Sequence, residues 1–475
     1  MKIFARVLLI TTFFCPLGVR SEELNINLIL ERLKSLEQKN IELQNELIFL
    51  RNQISPSNKN LIANPQKSIK ENDFIKTTKI SGKGIMVFGS KNFTGGNNSG
   101  TYDGKQRNDY LKENEGGTTF TYNHQLDIDS SFSKRDFLKA RFKYGKGGQF
   151  SGTTFVGEQL GLGELDDFDT TAFGLDRFWY RYSLTDNFTA FYGPEISQED
   201  MLAIWPSMYT RENILDFFNY SGAPGVYNKN KGGGLGLIWE NNGWGLSLNY
   251  TSDNATDSDP KYPFGGGMFT DSAGSNTTLQ VGYEKDLWGL AAAYSITNTN
   301  TRDIGFKSSN ATPLSVQVQE IGKLYSLGIS GWFRPLSNFS PAVSAGIGFS
   351  EVKEDKSVSA CENSSRCNTY ESASFSSWSL AMQWDDLFKE DNIGGIAFGQ
   401  PVHVTSIKRD SGDNSVNDSV HAYEIWYKIK LNDSVSFTPA FYLIDRPLGY
   451  YEDSGSNAGK SFNEFGAIIK STFNF

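Results

Sequence analysis

The chain has 475 residues, a formal net charge of -9, a pI near 5.1 and a mean hydropathy of -0.41. Acidity of this size argues against nucleic acid as a partner, which asks for a basic footprint. A hydrophobic content of 38% beside 14% aromatics and 47 glycines suits strands that are apolar on alternate positions better than the core of a soluble enzyme.

Residues 1–21 read as a signal peptide. Lys2 and Arg6 flank the n-region, Val7 to Phe14 form a short apolar core, and Val19-x-Ser21 offers small residues for cleavage. The apolar run is too short to span a bilayer as a helix, and no later stretch resembles a transmembrane helix. Cys15 lacks the small preceding residue of a lipoprotein signal, so the chain is expected to be exported without a lipid tether.

Residues 22–54 carry a heptad pattern, with Ile26, Leu33, Asn40, Leu47 and Ile54 at a and Ile29, Leu36, Leu43 and Leu50 at d. This predicts an α-helical coiled coil, in which Asn40 at an a position fixes register and strand number. A lone amphipathic helix packed on the following domain is the competing reading. Residues 55–76 are polar, contain Pro56 and Pro65, and read as a linker.

From residue 77 to 475 the period changes to two. Sixteen strands are expected, at 79–91, 118–132, 136–146, 173–184, 187–196, 232–240, 243–252, 276–285, 287–297, 322–334, 338–350, 372–386, 392–399, 418–431, 433–446 and 463–475. Their connections alternate short and long. Thr185-Asp-Asn187, Asn241-Asn-Gly243, Lys285-Asp-Leu287, Arg334-Pro-Leu-Ser-Asn338 and Asn432-Asp433 are short turn sequences, and the long connections are rich in Gly, Ser, Asn and Asp. An even-stranded membrane barrel with both termini on one side sorts its loops in this way. The expected fold is therefore all-β, a 16-stranded antiparallel transmembrane β-barrel with an N-terminal α-helical coiled coil, placed in the outer membrane with lipid around it.

Alternation assigns faces. Leu138, Ala140, Phe142 and Tyr144 are expected toward lipid, with Lys139, Arg141 and Lys143 toward the lumen. The next strand sends Phe178, Tyr180, Tyr182 and Leu184 outward, with Arg177, Trp179 and Arg181 inward. Lys139, Arg141, Lys143, Arg177 and Arg181 would thus form a basic wall lining the pore, of the kind that sets ion preference in channels. The bland alternative is that they pair with loop carboxylates. The wall and the overall acidity favour opposite ions.

The third long loop, Ser197 to Lys231, holds Glu199, Asp200, Trp205, Tyr209, Arg211, Glu212, Asp216, Phe217, Phe218 and Tyr220. Such apolar content does not belong in water. Folded inward, the loop would constrict the pore and set Glu199, Asp200 or Glu212 across from the basic wall. Its aromatics either pack the loop to the wall or offer flat faces to solutes.

Cys361 and Cys367 are expected to form a small loop disulfide in an oxidising compartment. Neither a metal site nor a cofactor is suggested. Enzyme chemistry has only His124, His403 and His421 to draw on: the first and last fall on lipid-facing sets, and His403 begins a loop without an evident partner.

The segments Leu126 to Phe142, Leu175 to Asn187, Asn392 to Pro401 and Tyr423 to Pro439, in this order and spacing, resemble the carbohydrate-selective porins of the OprB type. Within that family the chain is similar to the cyanobacterial outer-membrane branch, often labelled iron-uptake porins. Relatives there place an S-layer-homology domain ahead of the coiled coil, and this sequence departs from them in lacking it. The resemblance implies passive diffusion of small hydrophilic solutes, named as sugars for the family and inorganic ions or iron for the branch. A homotrimer is the natural assembly for such a barrel with a coiled coil. The rival expectation is an envelope tether, in which the coil reaches peptidoglycan or another cell-wall polymer and the barrel is a plug.

Overall fold

A computed structural model describes residues 77–95, 101–102, 105–106, 112–113, 116–146, 174–209, 214–260, 266–299, 304–307, 309–335, 340–355, 370–409, 412, 416–452 and 462–475. The expected signal peptide, coiled coil and linker, and the pair Cys361 and Cys367, lie outside the described residues.

Sixteen strands form a closed barrel. They are β1 (Thr78–Gly95), β2 (Thr119–Ser130), β3 (Asp136–Lys146), β4 (Gly174–Ser183), β5 (Phe188–Ser197), β6 (Lys231–Asn241), β7 (Trp244–Ser252) and β8 (Ser275–Lys285). The second half comprises β9 (Trp288–Asn298), β10 (Lys323–Phe333), β11 (Ala342–Lys353), β12 (Tyr370–Trp384), β13 (Ile393–Arg409), β14 (His421–Lys430), β15 (Val435–Asp445) and β16 (Phe462–Asn474). Each strand pairs antiparallel with its neighbours in the chain, and β1 pairs with β16 from Lys83 opposite Asn474 to Gly95 opposite Phe462. Closure removes every sheet edge, which a bilayer demands because it offers no partner to an unpaired N–H or C=O.

The tight turns follow from local chemistry. In β6–β7, Asn242 and Gly243 adopt φ of 50° and 86°, the left-handed pair that an Asn-Gly hairpin turn requires. In β4–β5, the Thr185 hydroxyl accepts from the amides of Asn187 and Phe188 at 3.2 and 3.1 Å. Between β2 and β3, Asp136 Oδ1 accepts from the amides of Phe132 and Ser133.

Side chains alternate strictly on most strands. On β9, Trp288, Leu290, Tyr294 and Ile296 are exposed outward, while Ala291, Ala293, Ser295 and Thr297 are buried inward. On β8, Leu279 and Val281 face out and Asn276, Thr278 and Gln280 face in. Large apolar side chains exposed all round the barrel form the belt that a hydrocarbon layer covers.

One strand departs from expectation. Gln400-Pro401 reads as a strand end because proline cannot donate to a ladder, yet β13 continues to Arg409. The β12–β13 register shifts near Ser376, so that Pro401 and Val402 drop out of the ladder. Val402 instead exchanges backbone hydrogen bonds with Asn310 and Thr312 of the loop after β9, at 3.0 and 2.9 Å. A bulge thus hosts the proline and ties a long loop to the wall. His403 accordingly lies within a strand, and it has a partner: its Nε2 is 3.2 Å from Ser376 Oγ, with Nδ1 on the carbonyl of Pro401.

The long-loop end is held by a buried clasp. After Thr312, which caps α1 (Pro313–Val318), the chain packs on the segment before β14. There Asp418 accepts from Thr312 Oγ1 at 2.6 Å and from the amides of Val404 and Tyr450 at 2.8 Å. Burial pushes this carboxyl up to about 6 in spite of those bonds. Because the folded value lies above the ordinary 3.8, the clasp's contribution is complete below pH 3.8 and is lost as pH rises through about 6. The difference amounts to about 3 kcal/mol. We expect hydrogen-exchange protection at the Val404 and Tyr450 amides, measured relative to the intrinsic exchange rate at each pH, to fall between pH 4 and pH 7, and Asp418→Asn to flatten that dependence; equal protection in both proteins at all pH values would contradict it.

Candidate functional site: the barrel lumen

The loop between β5 and β6 lies inside the barrel against its wall. It begins with a short 3-10 helix, Gln198–Met201, and turns back through a second, Asp216–Tyr220. Its residues Ile214, Leu215, Phe217, Tyr220, Ala223, Val226 and Tyr227 are almost wholly buried.

Polar side chains on the inner wall receive the loop backbone in sequence. Gln198 Nε2 donates to Thr278 Oγ1 at 2.8 Å and to the carbonyl of Val226 at 2.6 Å, tying both roots of the loop to β8. Gln280 accepts from the amide of Ile204 and donates to its carbonyl, at 3.1 and 2.9 Å. Ser344 on β11 accepts from Met208 at 2.9 Å. On the way back, Ser377, Ser330 and Ser295 donate to the carbonyls of Gly222, Ser221 and Gly225 at 2.9, 2.7 and 3.0 Å. Finally Asn230 Nδ2 donates to Thr251 Oγ1 on β7 at 3.0 Å. The loop therefore spans the wall from β7 round to β14.

At the far end sits Glu424, inward on β14 and 2% exposed. Its carboxylate accepts from Tyr209 Oη at 2.6 Å and from the amides of Ile214 and Leu215 at 3.0 and 2.7 Å. Trp426 Nε1 donates in turn to Tyr209 Oη at 2.6 Å. Burial, with Glu424 beside it, holds the Tyr209 phenol well above its ordinary 10.0, so it keeps its proton and donates. Four hydrogen bonds thus pin the tip of the loop to the opposite wall.

The wall beneath the loop is built of small or uncharged residues, and backbone meets backbone there. A Cβ on Gly346 would stand 1.8 Å from the Ser221 carbonyl, and one on Gly222 would stand 2.3 Å from that of Gly346. Ser221 and Gly222 are both left-handed, with φ of 51° and 74°. An apolar cluster of Ile85, Val87, Phe217, Trp426, Tyr442 and Ile468 fills the space between the loop tip and the β1–β16 seam.

Among the described residues, a charged strip on β2, β3, β4 and β6 keeps contact with water on the inward side. Lys139 lies 3.0 Å from both Asp127 and Asp129, and Arg141 Nε lies 2.8 Å from Asp127. Arg177 Nε is 2.9 Å from Asp200 and Nη2 is 3.4 Å from Glu199. Asp176, wholly buried, faces Lys143 at 3.3 Å, Arg177 at 3.2 Å, Lys231 at 3.3 Å and Arg141 at 3.8 Å. Burial pushes the Asp200 carboxyl up, against the pull of the Arg177 guanidinium. Side-chain exposures of 29% for Lys231, 24% for Asp129, 20% for Arg141 and 19% for Asp200 mark where water reaches.

Lys139, Arg141, Lys143 and Arg177 do point inward, but each sits against carboxylates from the strands or the loop. Arg177 is 1% exposed, so it lies under the loop acids and not on an open face. Arg181 stands apart at the tight-turn rim, exposed, with its guanidinium 5.0 Å over the Phe137 ring. Within the loop, Glu199 and Asp200 touch Arg177 directly and do not face it across an open passage. Trp205 packs on Tyr227 with centroids 5.6 Å apart. Tyr209, Phe217, Phe218 and Tyr220 are buried, so they pack the loop and present no free faces. Arg211 and Glu212 lie outside the described residues.

Sequence reasoning missed Asp127, Asp176, Lys231 and Glu424. Asp176 is inward because β4 bulges: Arg141 pairs with Arg177 but Phe142 pairs with Leu175, so Asp176 is the extra residue. Alternation from Phe178 would have sent this carboxylate into lipid, at a cost of a few kcal/mol for a charge there, and that conflict was the signal available.

No family model matches the chain. An uncharacterized protein of Synechocystis sp. is 24% identical over 400 residues, which are 80% of this chain and 67% of that protein. Among solved structures, Pseudomonas putida OprB is similar with a TM-score of 0.51 at 10% identity, over 85% of this chain and 96% of that one. The anion-selective porin from Comamonas acidovorans gives a TM-score of 0.45 at 11% identity, over 83% and 100%. At 10% identity the likeness to the Pseudomonas putida structure is one of fold.

Proposed function

We propose that the protein is an outer-membrane porin through which small hydrophilic solutes diffuse down their gradients. The observation that carries this is the division of the lumen: a closed, apolar-belted barrel in which an inward loop lies along the wall from β7 to β14 and a water-reached charged strip lines β2, β3, β4 and β6. Binding chemistry would call for convergent unpartnered groups, whereas a strip of fixed charges of both signs along a passage hydrates and sieves. Sugars and inorganic ions, the solutes implied by the family resemblance, are the classes that fit a polar passage of this kind. Trimeric assembly belongs to the same reading.

Refolded full-length protein in planar bilayers should give stepwise, ohmic, water-filled conductances, small for a barrel of sixteen strands because the loop occupies part of it. Absence of steps from protein that shows the heat-modifiable mobility of a folded barrel would overturn the reading.

A further inference from the structure

The basic side chains look in sequence like an anion filter, yet one buried carboxylate meets three of them, and Lys231 besides. We propose that Asp176 tips the ion preference of the passage: with Asp127, Glu199 and Asp200 already offsetting part of the basic charge, its carboxylate among Arg141, Lys143, Arg177 and Lys231 removes the remaining bias toward anions, so that neutral and cationic solutes are admitted. The inference rests on the porin reading above.

Three observations support it. The bulge in β4 turns two successive side chains, Asp176 and Arg177, into the lumen, and by doing so puts a carboxylate among the cations of β3, β4 and β6. The carboxylate is wholly buried, so its field is weakly screened by salt. Among its four partners, Lys231 and Arg141 are the two that water reaches most, at 29% and 20% side-chain exposure, and the charge on Asp176 is therefore felt where solutes pass.

The test is the zero-current potential of the refolded full-length protein across a potassium chloride gradient. Wild-type protein should be non-selective or cation-preferring. Asp176→Asn should lower the cation-over-anion permeability ratio by about threefold to tenfold, the size one uncompensated charge has in a narrow, partly dry passage, and Asp176→Glu should restore it. Should Asp176→Asn fail to fold, Lys231→Gln decides, with an expected shift toward cations. Asp186→Asn, at an exposed turn where it meets Arg135 at 3.4 Å, sets the background. An anion-preferring wild type, or a shift no larger than that of Asp186→Asn, overturns the inference while leaving the porin standing. Silence of the wild type sinks the porin reading instead.

Discussion

Glu424→Ala should raise single-channel conductance severalfold and admit larger solutes. The carboxylate is the acceptor for Tyr209 Oη and for the amides of Ile214 and Leu215, and its removal leaves these three donors without it in a buried site. An orphaned buried donor costs about 1 to 3 kcal/mol, so the tip of the loop loses several kcal/mol of local stability. Barrel strands do not share that loss, because the β13–β14 and β14–β15 ladders are backbone pairings that the substitution leaves alone. Glu424→Gln should fall between the two, since it keeps one acceptor oxygen but turns an N–H toward backbone donors. Planar-bilayer conductance and the exclusion limit of reconstituted liposomes read the effect together. An unchanged exclusion limit in a folded variant would mean that the loop is not the constriction.

Gly346→Leu should lift the returning half of the loop off β11. Its Cβ would sit 1.8 Å from the carbonyl oxygen of Ser221, and the atom in its way is backbone in a left-handed turn, which cannot rotate aside as a side chain would. Overpacking of this kind typically costs about 1 to 3 kcal/mol. It would also break the bonds from Ser330 and Ser377 to the neighbouring carbonyls. The expected outcome is raised conductance with the heat-modifiable mobility of the barrel retained. Raised conductance from both Gly346→Leu and Glu424→Ala, on strands β11 and β14, would identify one plug with two attachments. If Gly346→Leu conducts as the wild type does, the backbone contact is not holding the loop.

The inward course of the loop was legible in composition, since Phe217, Phe218 and Tyr220 have no reason to be in water. Its attachments were not. Ser295, Ser330, Ser344 and Ser377 look like ordinary lumen filler in any one strand, and only the barrel's curvature gathers them under one backbone. The charged strip was half legible: alternation found Lys139, Arg141, Lys143 and Arg177 but read them as an open wall. Their partners Asp127 and Asp129 lie on the preceding strand, directly opposite Arg141 and Lys139 in a register that the turn between them determines. Arg181 shows the limit of alternation, which assigns a face but not a height, and so could not tell a lumen position from the rim.

By itself the sequence determined the architecture. A period of two, tight turns alternating with long polar loops and lipid-compatible side chains on every second position leave a sixteen-stranded closed barrel as the solution, because a bilayer forbids open edges. Tertiary structure alone decided which side of the lumen stays wet and what charge it carries. Bulges at β4 and β13 break the period on which face assignment depends, and the loop finds its partners on strands far away in the chain, so the relevant contacts exist only once the sheet has closed.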